Sequence, residues 1–398
     1  MLDTIKTTTG SQMSMKNFRR YNMKKRYVLL GALAAAAGAG AYWMKKHVKV
    51  VVHKECKEPD SREEDGSTLF VGGESEREEY LSDMLDQKIG SFVITDPKGR
   101  YFDKFAKQLS ECGYEVKILN LTDSDKIEND CGTQCSFDPF EYIDTSKESE
   151  ELVIDTVEIL AGTNFRDEFE KKAVTYLLMA CVYWLKENQC EADGNDLKFL
   201  SFMLKEAKNN PTFCYLLEKA FMGLSGQTKA KKYFQAAKQA AGRELVTVIQ
   251  KAADRLEQIS NANGIECRDN LELKNIGEDQ TALFIITSED CKEHKLIELL
   301  YMQLISCIYE ERRKKTMDDL AKEWPVYCFL DQFEKYPNVP KIKETIQTGK
   351  LYSVYPVVCV PKFEQKKMNP ADFDRITSCD IETFKKVEKC FERDEQVE

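Results

Sequence analysis

Residues 68–120 read TLFVGGESEREEYLSDMLDQKIGSFVITDPKGRYFDKFAKQLSECGYEVKILN, and the spacing of their apolar runs decides the fold class. Thr68-Leu-Phe-Val71 is a short apolar run. Ser75 to Gln87 places Tyr80, Leu81, Met84 and Leu85 on one helical face. Ser91-Phe-Val-Ile-Thr95 is a buried-strand run that Asp96-Pro97 stops. Tyr101 to Cys112 has helical periodicity, and Glu115 to Asn120 is strand again. Strand and helix therefore alternate at about 25-residue spacing, which predicts an α/β fold with parallel strands covered by helices.

Further along, the pattern changes. From Glu151 to about Ser260 nearly every segment has helical periodicity, as in Ala173, Leu177, Leu178, Cys181 and Trp184, and no strand signal interrupts it. Strands return at Thr281-Ala-Leu-Phe-Ile-Ile-Thr287, Val326-Tyr-Cys-Phe-Leu330 and Tyr355-Pro-Val-Val-Cys-Val360, with a helix from Lys292 to Lys315 between the first two. The expectation is a sheet interrupted by an all-helical insertion. Phe384 to Glu398 is charged and carries no core pattern.

Toward the N-terminus, Tyr27 to Met44 (YVLLGALAAAAGAGAYWM) is an uncharged run of 18 residues, about 27 Å as a helix against a hydrocarbon thickness of about 30 Å. Lys24, Lys25 and Arg26 precede it, Lys45 and Lys46 follow it, and Tyr27, Tyr42 and Trp43 stand where interfacial aromatics belong. A cleaved signal sequence ending at Ala39-Gly-Ala41 and an Ala-rich soluble helix are the other readings of this run, and a single membrane helix fits its length and flanks best. Both flanks are basic. The heavier charge lies before the run, which on the positive-inside tendency alone would put the following domain outside the cell, so the count leaves the sidedness open.

Composition narrows the function. With 398 residues, 42% of them apolar and 32% charged, the chain can bury the core of two ordinary domains and is neither fibrous nor wholly disordered. The formal charge of −10 argues against a surface that grips nucleic acid everywhere. That total conceals a split, because residues 1–54 hold eleven Lys and Arg against Asp3 alone. The basic arm suits anionic lipid beside a membrane helix better than nucleic acid. His47, His53 and His294 are too few for a His-rich zinc centre. The fourteen cysteines are dispersed, Cys131 and Cys135 being the one close pair, and they read as reduced buried thiols with no metal site.

In a parallel sheet, ligands bind beyond the carboxyl ends of the strands, so the turn after the first strand is where a phosphate loop belongs. It reads Gly72-Gly73-Glu-Ser-Glu-Arg77-Glu78-Glu79. On the template G-x-x-x-x-G-K-[ST], Gly72 is retained, Arg77 replaces the second glycine, Glu78 the lysine and Glu79 the hydroxyl residue. A unit charge at 4 Å is worth about 4 kcal/mol at an effective dielectric of 20, so exchanging a cation for an anion beside a triphosphate shifts the interaction by about 8 kcal/mol. Micromolar binding is worth only about 8 kcal/mol in all. The other reading of these residues is an ordinary acidic turn. Val326 to Leu330 followed by Asp331 has the form of a Walker B strand, where Asp supports Mg²⁺ and a following Glu activates water, but Gln332 cannot act as that base. An apolar strand ending in an exposed acid reads the same way.

Seven segments in one order resemble the TraG/TraD-type coupling proteins of type IV secretion and conjugation, in the form found in Gram-positive bacteria. Gly90-Ser-Phe-Val-Ile-Thr-Asp96-Pro97-Lys98-Gly99 and Gly113-Tyr-Glu-Val-Lys-Ile-Leu-Asn-Leu121 carry the resemblance most strongly. Ser136 to Ile143, Asp167 to Ala173, Tyr233 to Gly242, Ile276 to Ile286 and Leu330 to Pro340 follow in order, so that residues 67 to 380 are covered. The resemblance implies a RecA-like P-loop NTPase core, an inserted helical domain, an N-terminal membrane anchor, ATP and Mg²⁺ as family cofactors, hexameric assembly, and DNA or protein as cargo. It also exposes departures: the phosphate loop, Gln332, Gln347 near the family's arginine, and Cys359-Val-Pro-Lys362 at a strand end. Asp96, Pro97, Lys98 and Gly99 are retained, and each also has a plain structural use at a strand end.

The expected organisation is a basic arm (1–26), a membrane helix (27–44), a linker (45–66), the first part of the core (67–148), the helical insertion (149–268), the second part of the core (269–380) and a charged tail (381–398). The expected function is that of a degenerate coupling protein, single-pass in a bacterial membrane with its main domain in the cytoplasm. It does not hydrolyse ATP, takes no cofactor, has no catalytic or metal-binding residue, and acts as a scaffold beside the secretion machinery or an active coupling ATPase, in a homo- or hetero-hexamer. Two alternatives stand: an NTPase completed by neighbouring subunits, and a relic without function.

Overall fold

The computed structural model describes residues 49–52, 66–87, 90–122, 130–145, 150–187, 197–266, 269–320, 322–336, 338–363 and 369–378. The expected membrane helix at 27–44, the arm before it, most of the linker, His47, His53 and the tail at 381–398 lie outside these residues. Among the described residues no helix is long and apolar enough to cross a membrane.

Nine strands of the described residues form one sheet: β1 (Lys49–Val52), β2 (Thr68–Val71), β3 (Ser91–Pro97), β4 (Glu115–Asn120), β5 (Thr133–Gln134), β6 (Thr281–Thr287), β7 (Val326–Leu330), β8 (Val354–Val360) and β9 (Arg375–Ser378). Their order is β1-β9-β2-β8-β7-β3-β6-β4-β5. From β9 to β5 the pairings are parallel. Helices α1 (Glu74–Gln87) and α2 (Arg100–Glu111) follow β2 and β3. Tyr101, Phe102, Phe105 and Leu109 of α2 pack with Leu81 and Leu85 of α1 over Phe92, Ile94, Phe284 and Phe329 of the strands. Burial on both faces is why the central strands are continuous apolar runs rather than alternating ones.

Six helices stand between β5 and β6: α3 (Glu151–Ala161), α4 (Glu168–Glu187), α5 (Leu197–Asn209), α6 (Pro211–Gly223), α7 (Lys229–Ala241) and α8 (Leu245–Ser260). Asn210 caps α6 by accepting from Thr212 N and Phe213 N, and Thr228 caps α7, so the turns are written into the sequence. Helices α4 and α7 pack along each other through Tyr183 and Tyr233, whose rings stack 5.5 Å apart. Helix α9 (His294–Lys314) is apolar on nearly every side and packs against α3. Fully buried Gln303 on α9 donates to Pro139 O at 2.8 Å and Thr156 Oγ1 at 3.3 Å, tying the strand-bearing layer to the helices.

Candidate functional site

The carboxyl ends of β2, β8, β7 and β3 surround the crevice where a ligand is expected. At the end of β2, Gly72 extends the ladder by donating to Val360 O at 3.1 Å. A Cβ on Gly72 would fall 2.8 Å from the Phe70 ring and 3.0 Å from Glu76 Oε2, so any larger residue would have to displace the buried Phe70 ring. Helix α1 then begins at Glu74, with its first bond from Arg77 N to Gly73 O. The connection is two residues long. The stretch Glu74 to Glu79 contains no glycine and carries acids in its first turn, which favours helix at once and leaves no loop to wrap a phosphate. Gly73 N–H, which would face an anion, instead donates to Glu76 Oε2, one half of a capping box.

One turn into a helix, successive side chains point about 100° apart, and this sorts Arg77, Glu78 and Glu79. Glu79 is exposed, and Glu78 turns outward to Lys104. Arg77 points inward and is 3% exposed. Its Nη1 donates to Gly72 O at 2.8 Å, and its Nε lies 2.6 Å from Asp331 Oδ1, a close ion contact whose N–H is not aimed along the line of approach. The crevice therefore contains a guanidinium rather than the two carboxylates the loop template puts there.

Asp331 closes β7 and is fully buried. Its Oδ2 accepts from Tyr101 Oη at 2.8 Å and lies 3.8 Å from Arg100 Nη2, while its Oδ1 accepts from Gln332 N at 2.8 Å. Gln332 stands in the left-handed region, with φ 56°, which bends the backbone N–H back onto the carboxylate. Burial pushes Asp331 above the usual carboxylate range, and Arg77 pulls it partly back. Burial is the largest influence on Arg77 and opposes its charge, but Asp331 together with smaller contributions from Tyr101 and Cys359 leaves the guanidinium more firmly protonated than usual. Burial and the Asp331 charge together raise Tyr101 well above an ordinary phenol. Each oxygen of the acid that could support Mg²⁺ already has a protein partner.

The retained Asp96-Pro97-Lys98-Gly99 segment forms the turn from β3 into α2. Gly99 N donates to Asp96 O at 3.3 Å, Pro97 takes the second position, and Lys98 and Gly99 have φ 66° and 75°. Both Asp96 oxygens cap α2, accepting from Tyr101 N at 3.0 Å and Phe102 N at 2.7 Å. Burial nevertheless holds Asp96 up at about 7 against those two bonds. Lys98 points to solvent, where its Nζ lies 2.7 Å from Glu289 Oε2. The turn thus positions Tyr101 against Asp331 and brings no free group of its own into the crevice.

Glu334, three residues after Asp331, is the residue that the motif reading passed over. It is half-buried, one of its oxygens is buried without a partner, and burial raises it while Arg77 pulls it down. A second acid shortly after the strand-end Asp was the available signal. Gln347 lies in the helix Ile342–Thr348, and Cys359 is buried within β8. Among the described residues, no group of three or more His, Cys, Asp or Glu is arranged to hold a metal ion.

This geometry does not fit a Mg²⁺-nucleotide. A helix start stands where the loop template puts its cradle, the Gly73 N–H is capped by Glu76, and Asp331 is engaged by Arg77, Tyr101 and Gln332.

A family model described as Type IV secretory system Conjugative DNA transfer matches residues 81–368. Among solved structures, the bacterial conjugative coupling protein TrwBdeltaN70 with sulphate is similar at 13% identity over 82% of this chain and 68% of its own, with a TM-score of 0.44. Plasmid coupling protein TrwB with an ATP analogue gives 13% identity over the same shares and a TM-score of 0.46. VirB4 of Thermoanaerobacter pseudethanolicus gives 13% identity over 76% and 71%, with a TM-score of 0.37. No curated protein matches the chain.

Proposed function

The chain belongs to the type IV secretory system conjugative DNA transfer family, and from that premise we propose that it is a coupling protein whose nucleotide crevice has been filled by its own side chain and which serves the transfer machinery as a scaffold. The observation that carries this reading is the buried contact of Arg77 with Asp331. A guanidinium tethered to α1 neutralises the acid that would otherwise support a metal ion, and a nucleotide would have to break a pair both of whose members are buried.

On this reading the parallel sheet is a RecA-like core that keeps its framework and not its chemistry. The uncharged run at residues 27–44 anchors the chain as a single span in a bacterial membrane, the basic arm meets anionic headgroups, and the main domain lies in the cytoplasm. Its partners are components of the secretion or conjugation machinery, including an active coupling ATPase with which it shares a homo- or hetero-hexameric ring.

The test is ATP turnover by the full chain in lipid nanodiscs. The expected rate equals that of the Asp331→Ala variant and does not respond to Mg²⁺. Turnover that Asp331→Ala abolishes would sink the scaffold reading.

A further inference from the structure

Among the described residues ten large hydrophobic side chains are exposed, and eight of them lie in the helical insertion. The other two, Trp324 and Leu351, are 38% and 65% exposed and share one end of the sheet. Trp324 precedes β7 and Leu351 precedes β8, and because these strands pair in parallel both residues stand at the amino end, opposite the crevice of Asp331. Backbone bonds make them neighbours. Val326 N donates to Ser353 O at 2.9 Å. Arg312, 3% exposed in the last turn of α9, binds both loops at once: its Nη2 donates to Trp324 O at 2.7 Å, and its Nη1 to Ser353 O at 3.1 Å and to Tyr352 O.

A buried guanidinium that holds three carbonyls fixes the two loops, so the exposure of Trp324 and Leu351 belongs to the folded chain. Charge does not distinguish this face. Lys315, Lys322 and Lys350 stand near the two side chains, and each is paired, with Glu323, Asp319 and Asp374. The carboxyl end of the sheet is the reverse: Glu74, Glu76 and Glu79 are exposed there, and no large hydrophobic side chain of the described core is. The uncharged run ends at Met44, five residues before β1 begins at Lys49, a reach of about 17 Å at most, and the chain enters β2 from its amino end at Gly66. With that run as a membrane span, the sheet stands close to the bilayer.

We propose that the amino-end face rests on this membrane, with Trp324 and Leu351 set in the boundary between headgroups and acyl chains. This rests on the reading of residues 27–44 as an anchor. An indole suits that boundary because its ring is apolar and its N–H can meet water or a headgroup, and a leucine gains by leaving water. Two side chains make a weak site on their own. Tethering supplies the rest: a short linker holds the face and the bilayer at an effective concentration in the millimolar range, so a contact too weak to recruit a free protein is occupied in an anchored one. With the anchor as a third point, the contact fixes the tilt of the sheet over the bilayer.

Trp43, Trp184 and Trp324 are the three tryptophans of the chain, so each can be left as the sole reporter. The full chain is reconstituted into phosphatidylcholine vesicles, with and without bromine high on the acyl chains, and the emission is compared. With Trp43→Phe and Trp184→Phe, Trp324 should lose about half its emission to the brominated lipid, and adding Leu351→Glu should cut that loss about twofold or more, with the far-ultraviolet circular dichroism unchanged. With Trp184→Phe and Trp324→Phe, Trp43 reports on the anchor. Quenching of Trp43 without quenching of Trp324 overturns the proposal and leaves the anchor reading intact; quenching of neither overturns both. Trp324 unquenched by brominated lipid yet shielded from iodide present on both sides would mean that a protein partner or a second copy covers this face, and overturns the proposal. Quenching of Trp324 that Leu351→Glu leaves unchanged also overturns it.

Discussion

Two crevices lie beyond the strand ends of one sheet, and their charges are balanced in different ways. Around β2, β7 and β3, Asp331 is matched inside the chain by Arg77, Tyr101 and a backbone N–H. Around β4 and β6, Arg255 and Lys295 both approach Gly162, and Glu298 acts on Lys295 from the same helix. The first arrangement is closed by direct contacts, and in the second, among the described residues, no ion pair engages either cation. Buried charge is therefore informative through what partners it: an internal counter-ion in contact marks a closed site.

The contrast makes the first crevice fragile and the second tolerant. Arg77→Ala strands a fully buried carboxylate and should cost about 3–5 kcal/mol of stability in urea denaturation, whereas an apolar pair such as Arg77→Met with Asp331→Leu should recover most of that loss. Next in size is a pH effect at Asp96. Its folded value of about 7 lies above the ordinary carboxylate range, so between roughly pH 4 and 7 the folded chain keeps a proton that the unfolded chain loses. Stability should fall by about 2–4 kcal/mol as pH rises through that window, and Asp96→Asn should remove this share, leaving the parallel contributions of Asp331, Glu298, Glu334, Asp155 and Asp372, which burial also raises. Tyr101→Phe removes one hydrogen bond to a buried charge, a loss of about 1.5–3 kcal/mol by the same denaturation assay. Lys295→Met should be the mildest, within about 1 kcal/mol of neutral, because it relieves the like charge of Arg255 as it removes the counter-charge of Glu298. A large loss at Lys295 would show that this cation has an internal role and would erase the contrast.

The framework was readable because its strands are apolar runs of strand length separated by amphipathic helices, as in Ser91–Pro97 and Arg100–Glu111. β5 and β9 escaped notice, since Thr133–Gln134 is two exposed residues and Arg375–Ser378 is short and largely polar. The site was less legible. A motif template assigns a loop position to each of Arg77, Glu78 and Glu79, whereas helix begins directly after Gly73 and rotates Arg77 inward while its two neighbours face away from the crevice. Charge counted along a sequence cannot tell which side chain will face the crevice; that depends on helical phase. The same limit hid Arg255 and Lys295, which lie forty residues apart and meet only because α8 and α9 both pack on α3, whose end is Gly162.

The most direct measurement is calorimetric titration of the detergent-solubilised full chain with a non-hydrolysable ATP analogue, with and without Mg²⁺. A crevice already occupied by Arg77 predicts no Mg²⁺-dependent heat at micromolar analogue. Micromolar binding that requires Mg²⁺ and vanishes in Asp331→Ala would contradict it.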